Sequence, residues 1–300
     1  MGARALRTLV EGGAFFEGPR WRDGRWWVSD FYRRTVSTVD ADGTETTVME
    51  VAGQPSGLGW MPDGSLLVVS MRDHRLLRRT PDGEVTVHAE LGEHCGGHLN
   101  DMVVDAKGRA YVGNFGFDLM AGDDAEWAKL VRVDPDGSAT VVADDLAFPN
   151  ASVITPDGKT LIVGETLGGG FTAFAIGDDG SLSDRRGWAQ VGPRPSPGPM
   201  REILPALEFE PDGCTLDAEG HVWAADALGG RAARVAPGGG IVDEIRPPDG
   251  LGVFACQLGG EDGRTLLLCV APDFSEHARS AAREALLLTT TVDVPHAGLP

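Results

Sequence analysis

One short pattern recurs six times along the 300 residues, and it restricts what the chain can fold into more than any other property. Its clearest copy is PDGCTLDAEGHVWAAD, residues 211–226. That copy carries an early carboxylate at Asp212, an alternating run, a tight turn at Glu219-Gly220, and a short returning strand that ends on Asp226. Anchored on the turn glycine, the copies fall at Gly24, Gly64, Gly108, Gly158, Gly220 and Gly263, with spacings of 40, 44, 50, 62 and 43 residues. Each turn sets Asp, Lys or Glu before a glycine, between apolar alternations. This is a hairpin signal, because glycine takes the positive φ such turns need. Two more strand-like runs follow each hairpin, such as TVSTVD and TETTVMEV after the first. Units of about 40–45 residues with four antiparallel strands are the blades of a propeller. The chain is therefore predicted to be all-β, a six-bladed β-propeller forming a single domain over residues 1–300. The sixth unit supplies three strands, in GVFACQL, RTLLLCVA and EALLLTTTV. The N-terminal RALRTLVEG is expected to be the fourth, so that pairing of the N- and C-terminal strands closes the ring and removes an exposed edge.

In a propeller the first strand of each blade lines the central channel, and the second returns to the same face. Two sets of residues should then converge at one mouth. The strand starts give Glu17, Ser56, Asn100, Asn150, Asp212 and Ala255; the hairpin ends give Asp30, Ser70, Asn114, Glu165, Asp226 and Ala271. In the first set, four of six blades present a carboxylate or amide side chain at one structural position: Glu17, Asn100, Asn150 and Asp212. Carboxylates and amide carbonyls converging on an axis are hard ligands suited to Ca²⁺, Mg²⁺ or Mn²⁺. Two carboxylates so close would repel without a cation between them.

Bulk properties narrow the partners. A formal charge of −19 argues against nucleic acid and anionic membrane surfaces. No apolar run reaches the ~20 residues of a membrane span, and MGARALRTLV lacks the apolar core of a signal peptide. The four cysteines (Cys95, Cys214, Cys256 and Cys269) show no paired short spacing, which fits a reducing cytoplasm. The segment from His94 to His98, HCGGH, has no third histidine nearby in sequence to complete a zinc site. Residues 186–210 enter the fifth unit on the expected ligand face and read as a lid or pocket wall, since long loops in compact domains tend to be functional. Phe115, Phe117 and Trp127 flank another loop expected to overhang the mouth.

The segments FEGPRW, LNDMVVDAKG, FPNASVITPDG and PDGCTLDAEGHVWAA together resemble the SMP-30/gluconolactonase/LRE family, in this order and over nearly the whole chain. The resemblance implies a six-bladed propeller that hydrolyses sugar lactones and related cyclic esters, with one divalent cation at the channel mouth. By matching motif it implies Glu17, Asn150 and Asp212 as metal ligands, Asn100 beside the metal and touching substrate, and Asp212 as general base. Ca²⁺ is the first candidate, with Mn²⁺, Mg²⁺ and Zn²⁺ as alternatives. One departure matters. Sugar-lactone members carry an arginine two residues before the Asn-Asp pair, where this chain has His98. An imidazole cannot grip sugar hydroxyls as a guanidinium fork does, so a more apolar lactone or ester is expected. Asp118 falls near another substrate-contacting acid of the family.

The expected activity is therefore metal-dependent hydrolysis of a small-molecule lactone or ester by a monomer or small homo-oligomer. His98, Asn100, Asn114, Asp118 and Glu165 are expected around the substrate. Two other readings remain open at this point: a binding module with a structural metal, and the same metal site used for a non-lactone reaction.

Overall fold

The computed structural model of the protein describes residues 4–298. It is a ring of six four-stranded antiparallel sheets, a six-bladed β-propeller. The inner strands are Phe16–Arg22, Pro55–Trp60, Leu99–Val104, Pro149–Ile154, Pro211–Leu216 and Gly252–Gly259. Neighbouring inner strands pack against one another around the axis. Closure is as expected: Arg7–Gly13 pairs antiparallel with Ala285–Thr291 and completes the sixth blade. All six anchor glycines have positive φ, between 69° and 84°, which is the conformation that makes glycine the residue of choice in such turns. Among the described residues no helix is long and apolar enough to cross a membrane.

The second strands end on Asp30, Ser70, Asn114, Glu165, Asp226 and Ala271, in register with the starts of the inner strands. Just beyond that closing pair, every inner strand carries one more residue than its partner. This is a β-bulge, the device that bends a strand and re-aims its side chains. The residues next to the closing pair are Glu17, Ser56, Asn100, Asn150 and Asp212 in the first five blades. In the sixth, the register sets Val253 there rather than Ala255, which pairs with Cys269 two residues further on.

The axis is crowded at this level. A Cβ on Gly18 would lie 2.6 Å from the Ser56 carbonyl oxygen, and one on Gly213 would lie 2.4 Å from the Ala255 Cβ. Glycine after Glu17 and after Asp212 is thus a packing requirement of the converging strands.

Two segments depart from the expected pattern. Residues 186–190 belong to the outer strand Leu182–Gln190 of the fourth blade rather than to a lid. The remainder of the 186–210 stretch forms a helical turn, Met200–Ile203, and a 3₁₀ turn, Leu204–Ala206. Ile203 and Leu207 bury into the same apolar cluster as Phe115, Phe117 and Phe148, so this part of the stretch is packed into the core beside the aromatics that wall the cavity. A helix, Glu276–Ala282, interrupts the sixth blade between its second and third strands. The turn-centred repeat carried no sign of it.

Removing residues through Gly13 strips the closing strand and leaves Ala285–Thr291 as a free edge. The truncated protein is expected to lose roughly 10 °C or more in thermal midpoint and to associate through that edge. Thermal unfolding and size-exclusion chromatography read both effects, and an unchanged, monodisperse protein would contradict closure as a source of stability.

Candidate active site

One cavity of about 350 Å³ opens at the mouth of the channel, on the face where the inner strands begin. Its polar floor includes Glu17, His98, Asn100, Asn150, Asp212, Thr166 and Glu210. Two aromatic groups wall it. Phe15 packs against Phe31, Tyr32 and Phe254 with ring centroids 5.3, 5.7 and 4.8 Å away. Across the cavity, Phe115 lies 5.6 Å from the His98 ring and 4.3 Å from Phe148.

Hydrogen bonds hold the floor in place. The Asn150 side-chain nitrogen donates to Asp212 Oδ1 at 2.6 Å and to the Thr166 hydroxyl at 2.9 Å. Thr166 in turn donates to the Pro211 carbonyl at 2.9 Å, tying the fourth blade to the fifth. With both its amide protons used, Asn150 has its carbonyl oxygen left for a ligand. Asn100 Oδ1 accepts from the Ser56 hydroxyl at 3.3 Å, so the serine at the matching position of the second blade serves as a support. Glu17 Oε2 accepts from the Gly18 backbone N–H at 2.9 Å.

Burial raises the proton affinity of three carboxyl groups here. Burial pushes Glu17 well above the ordinary carboxylate range, and the charge of Asp212 adds to it. Burial also raises Asp212, helped by the charge of Glu210. Glu210 is pushed up to about 7 by burial and by Asp226. Burial, then the Arg72 guanidinium, pulls the His98 imidazole below its usual value, so it is neutral at neutral pH.

Desolvated carboxyls together with a free amide oxygen form the kind of donor set that a hard divalent cation neutralises, and Glu17, Asn150 and Asp212 fit such an ion in chemistry. Asn100 stands beside them. Among the described residues no group of three or more His, Cys, Asp or Glu could hold a metal. The amide oxygens are therefore essential to this donor set, and the His94–His98 segment gains no third ligand for zinc.

The hairpin ends have a different task from the one expected. Asp30 accepts from the backbone N–H of Ala14 and Phe15, Glu165 from that of Ala147, and Asp226 from that of Glu210. In each case the donor lies on the segment entering the inner strand of the same blade. Arginines pair with all three: Arg33 at 2.7 Å, Arg194 at 3.4 Å and Arg231 at 2.9 Å. Asn114 donates to the Lys129 carbonyl and accepts from the Gly116 N–H. These side chains latch loops to blades. Asn114 and Glu165 therefore do not line the cavity, and neither does Asp118, which is exposed and caps a turn through the Ala121 N–H.

Other lining residues escaped the repeat-based reading. Glu210 reaches the floor from the end of the 186–210 stretch, and Phe254 comes from the bulge of the sixth blade. The cavity also has an arginine, Arg72, from the loop after the second strand of the second blade; Glu276 pairs with it.

A six-bladed propeller with a polar-floored, aromatic-walled cavity at one channel mouth is a frame for a small-molecule site. The family model described as "SMP-30/Gluconolactonase/LRE-like region" matches residues 15–271, and the chain belongs to that family. It is 28% identical over 223 residues to a 6-deoxy-6-sulfogluconolactonase of Pseudomonas putida, covering 71% of each chain. It is 27% identical over 176 residues to a pentonolactonase of Haloferax volcanii, covering 58% of this chain and 53% of that one. Among solved structures, a calcium-binding protein, regucalcin, from Agrobacterium tumefaciens superposes with a TM-score of 0.78 at 21% identity, covering 100% of this chain and 99% of the other.

A carboxyl with higher proton affinity in the folded than in the unfolded chain adds stability at low pH and loses that contribution as pH rises through its folded-state value. In EDTA, the thermal midpoint should therefore fall between the ordinary carboxylate range and a pH above about 7, where Glu210 ionises. Added Ca²⁺ should offset the fall, and Asp212→Asn should lessen the fall, leaving the shares of Glu17 and Glu210, while removing most of the Ca²⁺ effect. Melting curves across pH with and without Ca²⁺ decide it; a metal-free protein that grows more stable over this range would contradict the electrostatics.

Proposed function

We propose that the protein is a divalent-metal-dependent hydrolase that opens a lactone, with a preference for apolar lactones over sugar lactones. The observation that carries this reading is the meeting of Glu17, Asn100, Asn150 and Asp212 on the floor of a cavity with aromatic walls. The reaction class is supported by relatives that are themselves named lactonases. The regucalcin likeness supports Ca²⁺ as the first ion to test, ahead of Mn²⁺, Mg²⁺ and Zn²⁺. Four unpaired cysteines suit a reducing cytoplasm.

Glu17, Asp212 and the Asn150 amide oxygen would hold the cation, which when bound supplies Lewis-acid polarisation of the ester carbonyl and stabilises the charge developing on its oxygen. The chain's own groups do the rest. Asn150 fixes Asp212 through Oδ1, leaving Oδ2 to take a proton from the attacking water as that water adds to the carbonyl carbon. The same carboxyl can return the proton to the ring oxygen when the C–O bond breaks, releasing a hydroxy acid. Asn100 hydrogen-bonds the substrate, held by Ser56 through its oxygen. His98, neutral and tilted against Phe115, offers a neutral hydrogen bond where a charged fork would suit a polyol. The aromatic walls exclude bulk water from the ester and favour an apolar substrate body.

Metal-stripped protein with single ions restored, assayed on aldono-, aliphatic and aromatic lactones, tests the reading. Turnover should return with at least one ion and favour the apolar lactones. Asp212→Asn should lower kcat by about 10²–10⁴-fold, the usual contribution of a positioned base, and Asp212→Ala should abolish both ion retention and turnover. Tight binding of an ion with no turnover of any lactone would instead favour a binding module.

A further inference from the structure

We infer that the substrate carries an apolar tail, and that this tail leaves the cavity over a rim built by Leu119, Met120 and Phe274. The inference rests on the lactonase reading and specifies the class of lactone.

The cavity is larger than a bare lactone ring requires. At about 350 Å³ it falls within the roughly 300–1,000 Å³ of pockets that take drug-sized ligands. The polar floor groups gather at the end where the inner strands begin, so a ring bound there leaves the rest of the space, lined mainly by apolar side chains with Arg72 and Asp273 among them, for something attached to it.

That space continues outward. Leu119, Met120 and Phe274 line both the cavity and an adjoining shallow groove, whose far side is the helix Glu276–Ala282 with Glu276, His277 and Ser280. Met120 is 48% exposed and Phe274 57% exposed, from loops of the third and sixth blades. Large apolar side chains left in water beside a pocket mark a binding surface more often than isolated ones elsewhere do.

The rim is also held in place. The Phe274 carbonyl accepts from the Tyr32 hydroxyl, Asp273 pairs with Arg279 at 3.2 Å, and Glu276 pairs with Arg72. Phe274 thus sits on a segment tied at three points while its ring faces solvent. A flexible chain laid against a fixed apolar rim loses less entropy than two mobile partners would.

A homologous series of γ-alkyl lactones, from methyl to about octyl, tests this on the metal-loaded full chain. Full burial of a methylene is worth about fourfold in affinity, from roughly 0.8 kcal/mol each. On an open rim roughly half of that free energy, about twofold per methylene in kcat/KM, is expected for the wild type. The double variant Met120→Ser, Phe274→Ser removes exposed side chains and should keep the fold. It is expected to lower the octyl-to-methyl ratio of kcat/KM at least tenfold, chiefly through KM. Wild-type turnover that does not depend on tail length, or a ratio unmoved by the double variant, would overturn the tail subsite while leaving the lactonase reading intact. No turnover of any member would overturn both.

Discussion

Six inner strands converge on one axis, and the space between them is the constraint on which the rest of this structure depends. Backbones meet so closely there that Gly18 and Gly213 cannot carry a Cβ without striking a neighbouring blade. A bulge in each inner strand relieves the crowding. The same bulge leaves the residue beside it free of the regular alternation, and in four blades that residue ends on the floor of the cavity. Packing geometry and site geometry have one origin.

The buried carboxyl groups near the mouth divide into two layers by how completely they are partnered. Asp30, Glu165 and Asp226 are buried, yet each has backbone donors and an arginine partner. Glu17 and Asp212 have fewer donors and no arginine of their own, and their protonated forms are favoured. Full satisfaction makes the first layer structural. Incomplete satisfaction at the cavity leaves the second layer able to accept a cation.

Much of the fold was legible before any coordinates, because it is local and repeated. A turn glycine with positive φ has a recognisable neighbourhood, and six of them at similar spacing defined blades, strand order and the completion of the sixth blade by the N-terminus. The helix Glu276–Ala282 and the divided role of residues 186–210 were not legible, since neither repeats. The carboxylate and amide residues of the floor, Glu17, Asn100, Asn150 and Asp212, were found through their shared place in the repeat. Glu210, Phe254 and Arg72 were missed because they reach the cavity from connecting loops or from the bulge itself, with no fixed offset from a turn.

The hairpin ends show the limit most clearly. Sequence alone determined that Asp30, Asn114, Glu165 and Asp226 occupy equivalent positions on the same face as Glu17 and Asp212, because a strand of known length returns its last residue to the level of its partner's first. Only the tertiary structure decided which set faces the channel. Whether a carboxylate on the second strand from the axis points to the cavity or back to the incoming loop depends on the bulge and on which backbone N–H groups the loops present. Those loops differ in length and composition from blade to blade, so their contacts are set by three-dimensional packing rather than by the repeat.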